Sequence, residues 1–383
     1  MNKFHDPFIM LRKLIFIEAR NCKLARFCEI LLIVLYSLAH CLQIYYMYQH
    51  FNLNLLITCG PIMGTVLLTI VTAVMSVGLE KKIFEALTVL SNISWPLNFL
   101  KKDSHTKLTR KCQVIKWCIS CSVLLSVITL ISTFPCFGSQ RDFFLYVEVF
   151  EEYFGEWSFI PYYFYFAASP FLCYHFLRVT FVFVYAFLHV QLQYLLIEEF
   201  LFETYRTDDL KGWRYLQDIR YQQKIGRSLR LCITHHVALK MFVKKTVDLV
   251  MMAMPFFLVL GVLLLISVFT FIINFAVTMS IISKIRILLF AATGVCITMT
   301  FCWSGQQLIN VTDEIFWVLA RAPFYFWNRE NSVILLTLLT NCTNNDSVVL
   351  AGICLDYKLF LSVVKLAVSY SLVLFKLRKS SLV

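Results

Sequence analysis

A chain of 383 residues that is 59% hydrophobic, 16% aromatic and only 15% charged, with a mean hydropathy of +0.72, lacks the polar surface of a soluble domain, where about a quarter of residues are charged. The formal charge of +12 would raise the question of nucleic acid in a soluble protein. Here it reads instead as the Lys and Arg of short connections that orient a chain in a bilayer.

Apolar runs of about 18 residues or more recur along the whole length, each able to cross roughly 30 Å of hydrocarbon. In lipid such runs become helices, because every backbone N–H and C=O must be paired internally. The fold class expected is therefore all-α: a polytopic membrane protein with seven spans. They are placed at residues 27–49, 55–78, 116–137, 162–190, 247–275, 285–304 and 356–377. The N-terminal MNKFHDPFIMLRKLIFIEARNCK is broken by charges at Asp6, Arg12, Lys13, Glu18 and Arg20. It offers no uncharged stretch before a cleavage site, so the first span is expected to target the chain.

Basic residues alternate between connections. The N-tail holds six (Lys3, Arg12, Lys13, Arg20, Lys23, Arg26), residues 50–54 none, and 79–115 seven. Residues 138–161 hold only Arg141 against five acids, residues 191–246 hold ten basic residues, and 276–284 hold only Lys284. The positive-inside rule puts the N-terminus in the cytoplasm, and seven spans then leave the C-terminus outside. Lys376, Arg378 and Lys379 of the C-tail run against this pattern, as do the few basic residues (Arg321, Arg329) of 305–355. The acceptor patterns at Asn92, Asn310, Asn341 and Asn345 all fall on the expected cytoplasmic side and read as chance matches to a short motif.

The expected organisation follows: a cytoplasmic N-tail (1–26), spans one to four with a ligand-binding bundle (27–190), a cytoplasmic helical extension (191–246), spans five and six (247–304), a cytoplasmic region (305–355), and a last span with a short tail (356–383). Most of the 14 cysteines lie in apolar spans, where they read as small packing residues. Cys118 and Cys121 have CxxC spacing but no second pair or histidine cluster, so no metal and no cofactor is expected. GxSxG, HExxH and GxxxxGK[ST] are absent, and the paired acids Glu151–Glu152 and Glu198–Glu199 are adjacent and diverge, so no enzyme is expected.

Three stretches carry a resemblance: SLRLCITHHVALKMFVKKTVDLV at 228–250, FCWSGQQL at 301–308 followed by RAPFYFW at 321–327, and VVLAGICLDYKLFLSVVKLAVSYSLVLFKL at 348–377. In this order they resemble the insect odorant receptors, best over 228–377. The resemblance implies an inverted seven-helix protein that assembles as a tetramer around a cation pore, with a shared co-receptor subunit. It also implies a volatile ligand in the outer half of the bundle, a pore-lining last helix, cytoplasmic packing that anchors the subunits, and the plasma membrane of sensory neurons. A gustatory receptor of the same superfamily is the alternative. A G-protein-coupled receptor is a further alternative, against which stand the charge pattern and the absence of DRY and NPxxY; a transporter lacks the expected paired, interrupted spans.

On this resemblance Ser369, Val373 and Leu377, at i, i+4 and i+8 on one helix face, form the pore face, with Val373 and Leu377 as a hydrophobic constriction. Lys365 sits mid-span, where a cation should face a polar interior. Lys376, Arg378 and Lys379 at the outer mouth would make a repelling positive ring in a homotetramer, so co-receptor subunits are expected to dilute it. Candidate ligand contacts are Met63, Thr65, Phe134, Trp157, Tyr162, Tyr163, Phe164, Tyr165, Phe166 and Ser169. They compete with the reading that aromatics here form an interfacial belt. His175 and Arg178 are polar residues inside a span and are candidates for function or for helix bridging. His235 and His236 lack metal-ligand neighbours in sequence.

Overall fold

The computed structural model describes residues 8, 11–13, 23–96, 102–134, 144–205, 214–251, 254–275, 280–342, 349–350 and 353–381. The N-tail residues Lys3, Asp6, Glu18 and Arg20, together with Lys101, Arg141, Asp142 and Asn345, lie outside them.

The described residues are helical apart from turns and one two-residue antiparallel strand pairing, Val349–Leu350 with Ile353–Cys354. The main helices are α1 Lys23–Gln49, α2 Leu53–Gly78, α3 Glu80–Ile93, α4 Lys102–Thr133, α5 Leu145–Phe154 and α6 Phe159–Tyr205. They continue as α7 Ile219–Met251, α8 Met254–Phe275, α9 Ile281–Ala320, α10 Arg329–Cys342 and α11 Tyr357–Ser381. Seven helical segments are long and apolar enough to cross a membrane. The chain is a multi-pass, all-α membrane protein.

Several helices run past the lengths expected. The third span was placed at 116–137, but α4 begins at Lys102; the sixth was placed at 285–304, but α9 continues to Ala320. Charged flanks end a hydropathy signal without ending a helix, because the backbone bonds continue wherever side chains are solvated. The fifth span was placed at 247–275; α7 reaches Met251 and α8 covers Met254–Phe275.

The bundle has two halves, here called upper and lower. The α1–α2 turn, α5, the end of α8 and the start of α9 lie at the upper end. The helices α3, α7 and α10 pack around the prolonged lower ends of α6 and α9. The helix α6 is the centre of the molecule. It packs on α2, α9 and α7, and every residue from Phe181 to Ile197 is buried. That stretch is apolar on all sides, as a fully enclosed helix must be. Its amide and imidazole side chains each reach a neighbouring segment: His189 meets Ser94 Oγ at 2.9 Å, the Gln191 amide N–H donates to Gln307 at 3.4 Å, and Gln193 accepts from the Trp95 N–H at 2.7 Å.

Two close approaches depend on glycine. A Cβ on Gly226 of α7 would lie 2.7 Å from Asn331 Oδ1 of α10; Asn331 in turn donates to the Gln222 carbonyl at 2.9 Å. A Cβ on Gly305 of α9 would lie 2.3 Å from the Leu355 carbonyl oxygen. Leu355 immediately precedes Asp356, whose side chain accepts from the Leu359 N–H at 2.8 Å and caps α11.

The last helix buries Val363, Ala367 and Ser371 on one stripe at i, i+4 and i+8 against α8, where the Ser371 hydroxyl donates to the Ile266 carbonyl at 3.0 Å. Cys118 and Cys121, expected as packing residues, are exposed on α4.

Candidate ligand cavity

The upper half of the bundle holds a partly open cavity of about 190 Å³, below the roughly 300–1,000 Å³ of drug-sized pockets. Four helices supply most of its wall. From α2 come Ile62, Thr65, Val66 and Thr69; from α4 come Ser126, Thr129 and Thr133. The helix α6 adds Tyr165, Phe166, Ser169, Leu172 and Phe176, and α9 adds Phe290 and Thr293. The lid is aromatic: Tyr36 of α1 and Phe144 and Tyr146 at the start of α5 close the wall. Tyr146 lies 4.3 Å from Tyr165 and 5.4 Å from Phe166 between ring centroids, and the Tyr36 hydroxyl donates to the Tyr165 carbonyl.

The placement of Tyr146 follows from local sequence. In LYVEVFEEYF the residues Leu145, Tyr146, Val149 and Phe150 are buried, while the acids lie on other faces. The i, i+1, i+4, i+5 pattern makes one apolar stripe, so a segment expected as outer loop is a helix that docks on the cavity.

Pro170 shapes the α6 side. A proline has no N–H for the carbonyl four residues back, which is Phe166. The Ser169 hydroxyl donates to that carbonyl at 2.8 Å instead.

The sequence-nominated ligand residues divide. Thr65, Tyr165, Phe166 and Ser169 line the cavity. Phe134 stands behind it, 6.4 Å from the Phe166 ring, and Tyr162 lies 5.1 Å from the same ring. Met63 packs against the surrounding aromatic cluster. Trp157, Tyr163 and Phe164 are exposed. The residues not nominated are Tyr36, Phe144, Tyr146, Phe290 and the threonines of α4 and α9.

His175 and Arg178 sit on the side of α6 that faces α1 and α2, within a buried polar chain. His175 Nε2 is 3.0 Å from Glu29 of α1, and its Nδ1 is 3.2 Å from Ser76 Oγ of α2. Arg178 donates to the same Ser76 oxygen at 3.1 Å and reaches Glu80 of α3 at 3.4 Å. These two residues bridge four helices directly below the cavity.

A second cavity of about 280 Å³ lies lower, between α6, α8, α9 and the start of α11. Leu68, Phe176 and Ile297 line both cavities and form the partition.

Ser369, Val373, Lys376 and Leu377 are all exposed on this single chain, as is Lys365. Ser369 is two residues, about 200°, around the helix from the buried Ala367. The nominated face is therefore the one α8 leaves uncovered. Arg378 is turned aside: it donates to Asn274 of α8 at 2.9 Å and its guanidinium lies 4.8 Å from the Phe275 ring centroid.

In the lower half His235 stacks on Trp95 with ring centroids 4.1 Å apart and stands 3.2 Å from Gln193 Oε1. Because that oxygen already accepts from the Trp95 N–H, His235 Nε2 carries the proton. Burial, with His236 alongside, pushes the His235 pKa down to about 4. Among the described residues no three His, Cys, Asp or Glu side chains group as metal ligands.

No protein-family model and no curated protein sequence matches this chain. Solved structures do. The insect olfactory receptor OR5 from Machilis hrabei superposes with a TM-score of 0.71 at 11% identity, covering 97% of this chain and all of that one. The same receptor in complex with eugenol gives a TM-score of 0.69 at 12% identity, with the same coverage. This chain has the insect olfactory receptor fold. The match covers 97% of the chain, so the fold expected from the C-terminal motifs extends over the N-terminal spans as well. At this identity the agreement is one of architecture.

Proposed function

We propose that this chain is an odorant receptor: the ligand-binding subunit of an odorant-gated, non-selective cation channel formed with a shared co-receptor. It resides in the plasma membrane of sensory neurons, with the N-terminus in the cytoplasm and the C-terminus outside. The carrying observation is a largely apolar, partly open cavity of volatile size in the upper bundle of a chain that has the olfactory receptor fold over 97% of its length. In this orientation the cavity lies in the outer half of the membrane. The lower helices α3, α7 and α10 then form the cytoplasmic region that joins subunits.

The uncovered face of α11 supports a pore-lining role, with Val373 and Leu377 as the constriction and Ser369 below them. Lys376 and Lys379 remain exposed at its outer end, while Arg378 is held against α8. Four copies would still gather eight ammonium groups about one axis, which excludes cations, so the co-receptor dilutes the charge.

The test is current from cells expressing the chain with and without an insect odorant co-receptor, under a panel of volatiles. Ligand-evoked cation current only with the co-receptor supports the reading. Robust current from the chain alone refutes the charge argument. Silence in both, together with second-messenger signalling and a luminal N-terminus, refutes the channel reading as a whole.

A further inference from the structure

A hydroxyl in a cavity wall can donate or accept, and which it offers a ligand depends on where its proton already goes. Around the upper cavity the protons are committed to the helices themselves. Ser169 donates to the Phe166 carbonyl at 2.8 Å, Thr65 to Pro61 at 2.6 Å, and Thr69 to Val66 at 2.8 Å. Thr133 donates to Leu130 at 2.6 Å and Ser126 to Ser122 at 2.9 Å. Thr129 and Thr293 stand 2.7 Å apart, so one donates to the other; each is also 2.8 Å from a carbonyl of its own helix, at Leu125 and Leu289.

Ser169 is the most firmly committed, since it is the donor that replaces the N–H missing at Pro170. The phenolic donors are closed off. The Tyr36 hydroxyl is spent on the Tyr165 carbonyl. The hydroxyl oxygens of Tyr146 and Tyr165 have no hydrogen-bond partner, but they are fully buried and expose no surface to the cavity. Cys173 adds only a thiol, a weak donor. The serines and threonines of the wall thus present oxygen lone pairs whose own protons are in use.

We propose that this cavity selects small apolar molecules bearing one O–H or N–H donor, alcohols and phenols foremost, over ethers, esters and ketones of the same shape. The inference rests on the reading of the upper cavity as the odorant site. A ligand that donates adds a hydrogen bond to an idle lone pair. A ligand that only accepts obtains one by drawing a wall hydroxyl off its own carbonyl, which exchanges one bond for another; at Ser169 it also strands the Phe166 carbonyl. The difference is one net hydrogen bond, about three- to tenfold in affinity.

The test is binding of isomeric pairs to the full chain in phospholipid nanodiscs, followed by saturation-transfer NMR titration. Suitable pairs are 2-phenylethanol with benzyl methyl ether and 1-hexanol with pentyl methyl ether. The alcohol of each pair is expected to bind about three- to tenfold more tightly. The preference should shrink in Ser169→Ala and in the isosteric Thr65→Val, and persist in Ser169→Thr. Equal affinities within both pairs, with binding still abolished by the cavity-filling Thr65→Phe or Thr69→Phe, would overturn the donor rule and leave the odorant site standing. Binding that neither filling disturbs, or no binding by either pair, overturns the site and the rule together.

Discussion

Gly305 is the glycine of the FCWSGQQL stretch, and its contact explains why that position is small. In Gly305→Ala the new methyl would sit 2.3 Å from the Leu355 carbonyl oxygen and 3.0 Å from two Leu355 side-chain carbons. A backbone oxygen cannot rotate away as a side chain can. Either α9 or the chain entering α11 must move by nearly 1 Å, and Leu355 is itself buried. Overpacking of this kind costs about 1–3 kcal/mol, and the upper figure applies because the obstacle is backbone. Alanine's better helix propensity returns about 1 kcal/mol, leaving a net loss of about 2 kcal/mol. Gly261 is the internal control. It also lies inside an apolar helix, but a Cβ there meets nothing within 4 Å, so Gly261→Ala should gain up to about 1 kcal/mol. The assay is the melting midpoint of each variant in detergent, read by fluorescence size-exclusion after heating. The expected order is Gly261→Ala at or above the parent, with Gly305→Ala several degrees below it. Equal midpoints for the two alanine variants would refute the argument that the close approach, rather than the helix, requires glycine.

Further outcomes follow from single contacts. Asp356→Ala removes the side-chain cap of α11 and should cost about 1 kcal/mol, with Asp356→Asn close to neutral; the same melting assay checks it. Glu29→Gln and Ser76→Ala both touch His175, so their destabilisations should be non-additive by about 0.5–1.5 kcal/mol in a double-mutant cycle, and simple additivity would mean the imidazole does not join α1 to α2. His235 stays neutral in the folded chain down to about pH 4, whereas an unfolded histidine takes a proton near 6.5. Between those values the unfolded state binds more protons, so stability falls as the pH drops, by about 1.36 kcal/mol per pH step and about 3 kcal/mol across the window. Urea midpoints at pH 7 and pH 4.5 should diverge in the parent and converge in His235→Gln; equal slopes in both would contradict a buried neutral ring.

Hydropathy makes the seven spans readable, because burial in lipid leaves one-dimensional runs in the sequence. His175 and Arg178 stand out for the same reason: charge is rare inside such runs. Their partners do not stand out. Glu29 lies at the edge of α1 and Glu80 just past the end of α2, where acids are ordinary, and only the packing of α6 against both reveals the network. The cavity is split in the same way. Phe166 and Ser169 were readable from the aromatic cluster on α6, while Tyr146 was hidden in an acidic connection whose buried stripe of four residues could have betrayed a helix. Trp157 and Tyr163 attracted notice by residue type, yet the turn at Gly155–Ser158 leaves both on the outside. Helix ends were the least legible feature, since α4, α6 and α9 continue beyond the apolar stretch with nothing in composition to mark how far.

The central helix is also a mechanical part. Below Pro170, α6 runs unbroken from Phe171 to Tyr205, about 52 Å of rod. Its upper end carries Leu172 and Phe176 into the ligand cavity. Its lower end sets Phe200 against Trp95 and Tyr205 against Trp327, with ring centroids 5.7 and 5.4 Å apart. Pivoting near Arg178 through about 3°, a rod of that length moves its upper tip by about 0.5 Å and its lower tip, about 40 Å away, by about 2 Å in the opposite direction. The polar clasp of Glu29, His175, Ser76, Arg178 and Glu80 grips it near the top. Under the proposed function, a molecule lodged above the clasp would work on the short arm of a lever, with the aromatic contacts on the long one.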